Sequence, residues 1–341
     1  MSLLNNGIFI AIVAHALIGA SLVWDKILLR ETRSSSVVNY VFWLGAMSAL
    51  GSLLAVLGME LPPLGVIALA FGAGVVHLAA NYFYYKALKG GEASETLAIM
   101  GGFSPVATAL IGIPLLKSQL AGMALWGFAL MTAGGFFMFF SEKVPGSILP
   151  AMLLSAGLFG LTNVLQKIAF DQAHFIAGYV FFTAGTFAGA LFFLARRKWR
   201  DEIFIQSEQA QPRNKFWYFV NRFVNGFGSF LIFLAISRAN PAIVDAIQGL
   251  RYVIIFAGAY WITTRHPSWL QETFTGWTIL AKSIATLLVI AGLFVAGLAG
   301  KDQPGGGAAL GRIKVIPPWP IRALWTLTAP RRPAVAASIL P

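Results

Sequence analysis

The chain has 341 residues, of which 57% are hydrophobic and only 11% charged, and it carries a formal net charge of +12. That balance excludes a soluble domain of ordinary composition, because too few polar side chains are present to cover a water-facing surface. The absence of cysteine excludes disulfides, thiolate metal sites and thiol nucleophiles.

Many apolar runs approach or exceed the roughly 20 residues that a helix needs to cross a bilayer core. In chain order, spans are expected near 7–29, 38–58, 64–88, 93–116, 121–140, 148–170, 175–195, 216–237, 241–262 and 274–298. The expected fold class is therefore all-α, a polytopic membrane protein with ten transmembrane helices. The first six residues hold no Lys or Arg, so residues 1–20 lack the basic start of a cleaved signal peptide. Pro62-Pro63, Gly90-Gly91, Pro145-Gly146 and Asn240-Pro241 mark short turns between spans. One connection is longer: residues 196–215, with six basic and three acidic side chains, read as a solvated loop. The small-residue pairs Gly157/Gly160 and Gly185/Gly189 fit close helix packing in lipid.

Residues 86–116 form the segment around which the rest is organised. A helix ends in Lys-Gly-Gly, and a second apolar run follows, expected to break at Gly101, Gly102 and Pro105. The shape returns at residues 234–262, where a break is expected at Gly249. On an offset of 148, Ala87 falls on Ala235, Leu88 on Ile236, Ala98 on Ala246, Ile99 on Ile247 and Gly101 on Gly249. Leu17–Leu28 lies over Leu158–Ala169 on an offset of 141, and Tyr40–Trp43 over Tyr179–Phe182 on an offset of 139. Three matching segments in one order predict a duplicated five-helix unit. An odd number of spans per unit sets the two copies in opposite orientations, as inverted repeats, and interrupted helices at matching places point to a transporter's substrate site.

The run Ala87-Leu88, Ala93-Ser94, Leu97, Ser104-Pro105-Val106 and Thr108 to Gly112, set in ten helices, resembles the EamA-like branch of the drug/metabolite transporter superfamily. The resemblance covers roughly residues 1–298. It implies two inverted five-helix bundles around a central cavity (residues 1–143 and 144–299) and secondary transport of a small polar or anionic metabolite, export among the directions. A lipid-linked or nucleotide-sugar carrier is a second reading that the resemblance allows. A third, from another class, is a membrane scaffold subunit that does not transport. The second copy departs from the pattern, with Val253 where Pro105 would fall and Arg251 where Phe103 would. Lys117 stands where the family often ends its fourth helix with an acid. The protein is expected to be integral to a bacterial inner (cytoplasmic) membrane.

Residues 300–341 hold seven of the sixteen prolines and a Gly-Gly-Gly run, and they are expected to be a disordered tail. Six basic residues and one acidic give this tail +5, which suits contact with anionic lipid headgroups; nucleic acid is not an expected partner. Counted over the connections, thirteen Lys and Arg fall on the odd-numbered side and three on the even. The rule that basic loops stay cytoplasmic then puts both termini outside, while the basic tail argues the reverse.

Polar side chains deep in a span are costly in lipid and normally face a bundle interior or a water-filled cavity. His15, His77, Asn81, Asn163, Asn225, Gln248 and Arg251 are the candidates for a substrate cavity. His77 and Asn81, four apart, share a helix face. On the 148 offset they fall on Asn225 and Ser229, at one depth in two equivalent helices. Each of these groups can instead serve only to hold helices together. Arg251 is the sharpest, because an unpaired Arg near mid-bilayer costs roughly 2.5–3.5 kcal/mol. Its partner is a protein carboxylate in a permanent lock, a set of freed carbonyls, or an anionic substrate. Asp245, six residues earlier, is awkward as an in-helix partner. Glu92, Glu95 and Asp245 are the candidates for a gate or for proton or other ion coupling. Lys282 is expected to snorkel to the interface, and Trp24, Trp126, Trp217 and Trp277 to anchor span ends.

Other chemistry finds little support. No GK[ST] phosphate loop suggests ATP-driven transport, no HExxH or His/Asp set suggests a metal site, and no grouping suggests a catalytic triad. No cofactor is expected; the expected partners are a small-molecule substrate and the bilayer.

Overall fold

A computed structural model describes residues 6–31, 36–91, 93–117, 120–141, 144–209, 212–265 and 276–302. Ten helices in it are long and apolar enough to cross a membrane. They are α1 (Gly7–Glu31), α2 (Val37–Ser48, continued by a 3-10 segment Ala49–Leu57), α3 (Leu64–Gly90), α4 (Ala93–Leu116) and α5 (Gly122–Ser141), then α6 (Leu149–Gln172) and α7 (Phe175–Phe192). After α8 (Arg197–Gln209) come α9 (Pro212–Arg238), a ninth span made of α10 (Pro241–Ala246) and α11 (Gly249–Arg265), and α12 (Gly276–Asp302). No strand is present among the described residues. The chain is an all-α polytopic membrane protein.

The long connection differs from expectation. It is a helix, α8, and not a solvated loop, because apolar side chains one turn apart give it something to bury. Ile203 is fully buried and Trp199 packs on Phe193 with the rings 5.6 Å apart. Arg196 lies over the Trp199 ring at 5.3 Å, and Glu202 accepts a hydrogen bond from Ser36, whose hydroxyl also caps α2.

The fourth span also differs. Gly101, Gly102 and Pro105 do not break it: α4 runs through them, and through Pro114, without interruption. The glycines serve close approach instead. A Cβ on Gly101 would stand 1.6 Å from the Tyr252 hydroxyl, and one on Gly135 of α5 would stand 2.4 Å from the Gly101 backbone. Proline removes an N–H yet is tolerated in spans where neighbours hold the helix. The ninth span is broken where expected. Asn240 caps α10 through the amide of Ala242, with Pro241 following, and the chain turns at Ile247–Gln248 before α11 begins at Gly249.

The described residues up to 299 pack as one compact unit, and its closest seams join the two halves of the sequence. Helix α3 packs on α6 and α1 on α9; α4 packs on α6 and α1 on α11. Exchanging each span for the one five further on turns the first contact of each pair into the second. The contacts of α2 with α7 and of α4 with α10 map onto themselves. Small residues permit this closeness. A Cβ on Gly160 would stand 2.8 Å from the Thr108 amide, and one on Gly127 2.7 Å from Ala296. Gly185 and Gly189 are likewise in close contact, whereas Gly157 faces open space. Lys282 does not snorkel: it is buried, its ammonium 5.5 Å from the Phe256 ring centre. Trp126 and Trp277 are exposed, and Trp24 packs against Trp217 with the rings tilted and their centres 5.4 Å apart. The tail from residue 303 lies outside the described residues.

Candidate functional site

Between the helices lies a cavity of about 420 Å³. All seven deep polar residues singled out in the sequence line it: His15 from α1, His77 and Asn81 from α3, Asn163 from α6, Asn225 from α9, Gln248 from the α10–α11 turn and Arg251 from α11. They come from five spans and meet because each polar group is kept away from lipid by the same cost. One wall is polar. Aromatic rings line the cavity too: Phe159, Phe182, Phe230 and Phe233.

The break between α10 and α11 builds the polar wall. Arg251 Nε donates to His15 Nδ1 at 2.8 Å, and His15 Nε2 lies 2.8 Å from the Val244 carbonyl. Arginine is a donor only, so Nδ1 must offer its lone pair and the ring proton must sit on Nε2, donated to Val244. His15 is thus a neutral imidazole with both nitrogens engaged, and it fixes the plane of the guanidinium. Arg251 is half-buried and lines the cavity; among the described residues no carboxylate is within ion-pair distance of it.

Asp245 does not lock Arg251. Its carboxylate accepts from the hydroxyls of Ser104 at 2.8 Å and Thr108 at 2.5 Å, both from α4, and from Gln248 at 3.2 Å. Ser104 and Thr108 are four apart and therefore present adjacent hydroxyls on one face. Gln248 also donates to the Met100 carbonyl at 3.3 Å. The turn thus holds an arginine and an aspartate at the cavity wall, each engaged by neutral groups. Deeper on α3, Asn81 donates back to the His77 carbonyl at 2.8 Å, and the His77 ring sits edge-on to Phe159, Phe182 and Phe233 at 5.1–5.9 Å. Asn225 donates to the Ser21 hydroxyl at 3.2 Å. Of the gate candidates, Asp245 lines the cavity, Glu95 lies beside Gly91 at the α3–α4 turn and does not, and Glu92 is outside the described residues.

A second charged cluster escaped the sequence reading. Arg222 of α9 makes an ion pair with Asp25 of α1, and their side chains are 2% and 0% exposed. Asp25 also accepts from the Tyr40 hydroxyl, from Asn221 at 2.5 Å and from the Tyr85 hydroxyl at 3.3 Å. Tyr85 in turn accepts from Arg222 at 2.9 Å, and Tyr218 donates to the Tyr40 carbonyl at 2.9 Å. The guanidinium carbon lies 5.1–5.8 Å from the ring centres of Tyr40, Tyr85 and Tyr218. The cluster ties α1, α2, α3 and α9 together at one end of the cavity. Arg222 lies only six residues into its expected span, where a long cation ordinarily reaches water, and Asp25 is 197 positions away.

Comparison with known proteins agrees with this architecture. A solved structure titled only "Crystal structure of protein" is similar at a TM-score of 0.53 and 16% identity, over 85% of this chain and 99% of that one, a likeness of fold alone. No curated protein matches the chain in sequence. Residues 5–140 match the EamA-like transporter family. That match, over the first five spans, supports the EamA-like drug/metabolite transporter superfamily.

Proposed function

We propose that the protein is a secondary transporter of a small polar or anionic metabolite, working by alternating access between two inverted five-helix repeats, residues 1–143 and 144–299. The family match supports a transporter of the drug/metabolite superfamily, and the exchange symmetry of the helix contacts supports the repeats. The observation that carries the anionic substrate is Arg251. It lines the cavity, is oriented by a neutral histidine and has no carboxylate of its own among the described residues. A cation held in that way gains most from an anion that arrives with the substrate. Asp245, on the same broken helix, is the candidate for proton coupling.

Purified protein in proteoliposomes tests the reading by counterflow of radiolabelled carboxylates, amino acids and phosphate esters. Saturable exchange of an anionic member, lost in Arg251→Gln, is the expected result. No exchange of any member, or exchange confined to cations, would count against it.

A further inference from the structure

Among the described residues, the cavity-lining side chains that are more than half exposed all lie along one seam. Helices α2 and α9 meet near one end, where Trp43 lies edge-on to Phe219 at 5.9 Å and Tyr218 is bonded to the Tyr40 carbonyl. Beyond that contact both helices line the cavity, Leu50, Gly51 and Leu54 on α2 and Phe223, Gly226 and Phe227 on α9. Leu50, Phe223 and Phe227 are 53%, 68% and 51% exposed. A side chain that lines an internal cavity and is also more than half exposed sits at its mouth. This mouth is lined by apolar groups and lies along two helices long and apolar enough to span a membrane, a setting that suits hydrocarbon better than water.

The seam between α3 and α7, which the duplication pairs with it, is shut. A Cβ on Gly74 would stand 2.0 Å from the Phe182 carbonyl, and one on Gly185 2.0 Å from the Phe71 carbonyl. Thr186 bonds across it to the Gly74 carbonyl at 3.2 Å. Glycines zip one seam, while Gly226 on the other has nothing within 4 Å of where its Cβ would be.

From the open seam we infer that the substrate is an amphiphile, an anionic head group on an apolar tail, admitted sideways from the bilayer between α2 and α9. The head would reach Arg251, the tail would lie along the aromatic rings, and the mouth between Leu50 and Phe223 would let the tail remain partly in lipid. This inference rests on the anionic reading of Arg251 and adds the route and the tail. A water-soluble anion needs no apolar doorway, and a lipid with an uncharged head would leave Arg251 without a counter-charge.

The full chain in phosphatidylcholine nanodiscs allows a direct test with two probes that share a head group, hexadecyl phosphate and butyl phosphate, and with hexadecanol as the tail alone. Binding is followed as thermal stabilisation against probe concentration. Hexadecyl phosphate should bind saturably, and its apparent affinity should fall about tenfold or more in Arg251→Gln, the size of one charge-assisted contact. Hexadecanol should not compete. Gly226→Trp adds bulk at the mouth, where a Cβ would meet nothing within 4 Å, and should slow or abolish hexadecyl phosphate binding; Leu50→Trp attacks the same mouth from the other side. Gly72→Trp, also in open space but on α3 away from the cavity, should bind as the parent does. Arg251-dependent binding of butyl phosphate that neither mouth variant affects, with no gain from the longer chain, overturns the lateral route and leaves an aqueous anion transporter. Hexadecyl phosphate binding that Arg251→Gln does not weaken overturns the proposal as well, since the probe would then be seated as ordinary lipid. Loss of all binding in parent and variants alike removes both this inference and the anionic reading beneath it.

Discussion

Arg222 and Arg251 both border the cavity, one on α9 and the other on α11, but they are satisfied in opposite ways. Arg222 has a carboxylate in contact, a tyrosine hydroxyl accepting from it and three tyrosine rings around it. Arg251 has the lone pair of one neutral imidazole. The Arg222–Asp25 pair offsets much of the cost of leaving water through its further hydrogen bonds, although Arg222 Nε has no hydrogen-bond partner among the described residues. Arg251 has no carboxylate within ion-pair distance among the described residues, only the longer-range attraction of Asp245, and it faces the cavity. The contrast separates an arginine in contact with a carboxylate from one that, on the proposed function, would meet its counter-charge in the substrate.

The largest effect is expected on the Arg222 side. Arg222→Gln leaves Asp25 buried without its counter-ion, and breaking such a pair costs about 3–5 kcal/mol. The protein should lose most of its thermal stability or fail to accumulate in membranes. Asp25→Asn combined with Arg222→Gln removes both charges and should recover a large part of the loss. A double-mutant cycle on melting temperatures measures the coupling. Additive losses in that cycle would mean that the pair is not the link it looks to be.

Next comes Arg251→Gln, with the readouts reversed. Its melting temperature should stay close to the parent's, because no carboxylate is orphaned. Binding of an anionic substrate should weaken by about one to two orders of magnitude, the worth of a charge-assisted hydrogen bond of about 1.5–3 kcal/mol. Arg251→Lys keeps the charge but not the planar fork, and should fall between parent and Gln. A collapse in stability with Arg251→Gln, rescued in part by Lys, would instead make Arg251 a second lock.

The two arginines were unequally legible in the sequence. Arg251 stood out by depth alone, since it lies about ten residues into an apolar run with no acid one turn away. The seven polar residues at cavity depth were visible for the same reason: lipid tolerates few alternatives for them. Arg222 hid behind its position near a span end, where a long cation ordinarily reaches water. Its carboxylate, in α1, becomes a neighbour only when the halves pack together. The α4 glycines misled in another way. A Gly-Gly followed by Pro reads as a break, but here the missing side chains make room for the Tyr252 ring and for α5. Local pattern cannot distinguish a glycine that bends a helix from one that lets another helix come close.

His15 is the third test, since it connects the comparison to the broken helix. His15→Phe removes the acceptor for Arg251 Nε and the donor to Val244, leaving two buried polar groups unsatisfied at about 1–3 kcal/mol each. Stability should therefore fall more than in Arg251→Gln. Substrate affinity should fall less, because the guanidinium charge remains while its orientation is lost. His15→Asn, whose amide can both accept and donate, should restore part of the stability. If His15→Phe weakens substrate binding more than Arg251→Gln does, the imidazole itself contacts the ligand and the positioning role assigned to it is wrong.

Tyr218→Phe carries the smallest expected effect. The hydroxyl of Tyr218 donates to the Tyr40 carbonyl at 2.9 Å, and its ring lies edge-on to Tyr40 at 4.9 Å and 5.6 Å from the Arg222 guanidinium. Phenylalanine keeps the ring, the edge contact and most of the attraction between cation and ring face, and it loses one hydrogen bond. That loss is worth about 0.5–1.5 kcal/mol, a modest drop in melting temperature measured on the same nanodisc preparations. Tyr218 does not line the cavity, so substrate affinity should be unchanged. Here stability and binding are expected to separate cleanly. A melting temperature that barely moves, together with transport reduced as far as in Arg251→Gln, would show that the tyrosine cluster takes part in the transport cycle. Arg222 would then belong to a gate that opens, and the division between a fixed lock and a waiting charge would have to be given up.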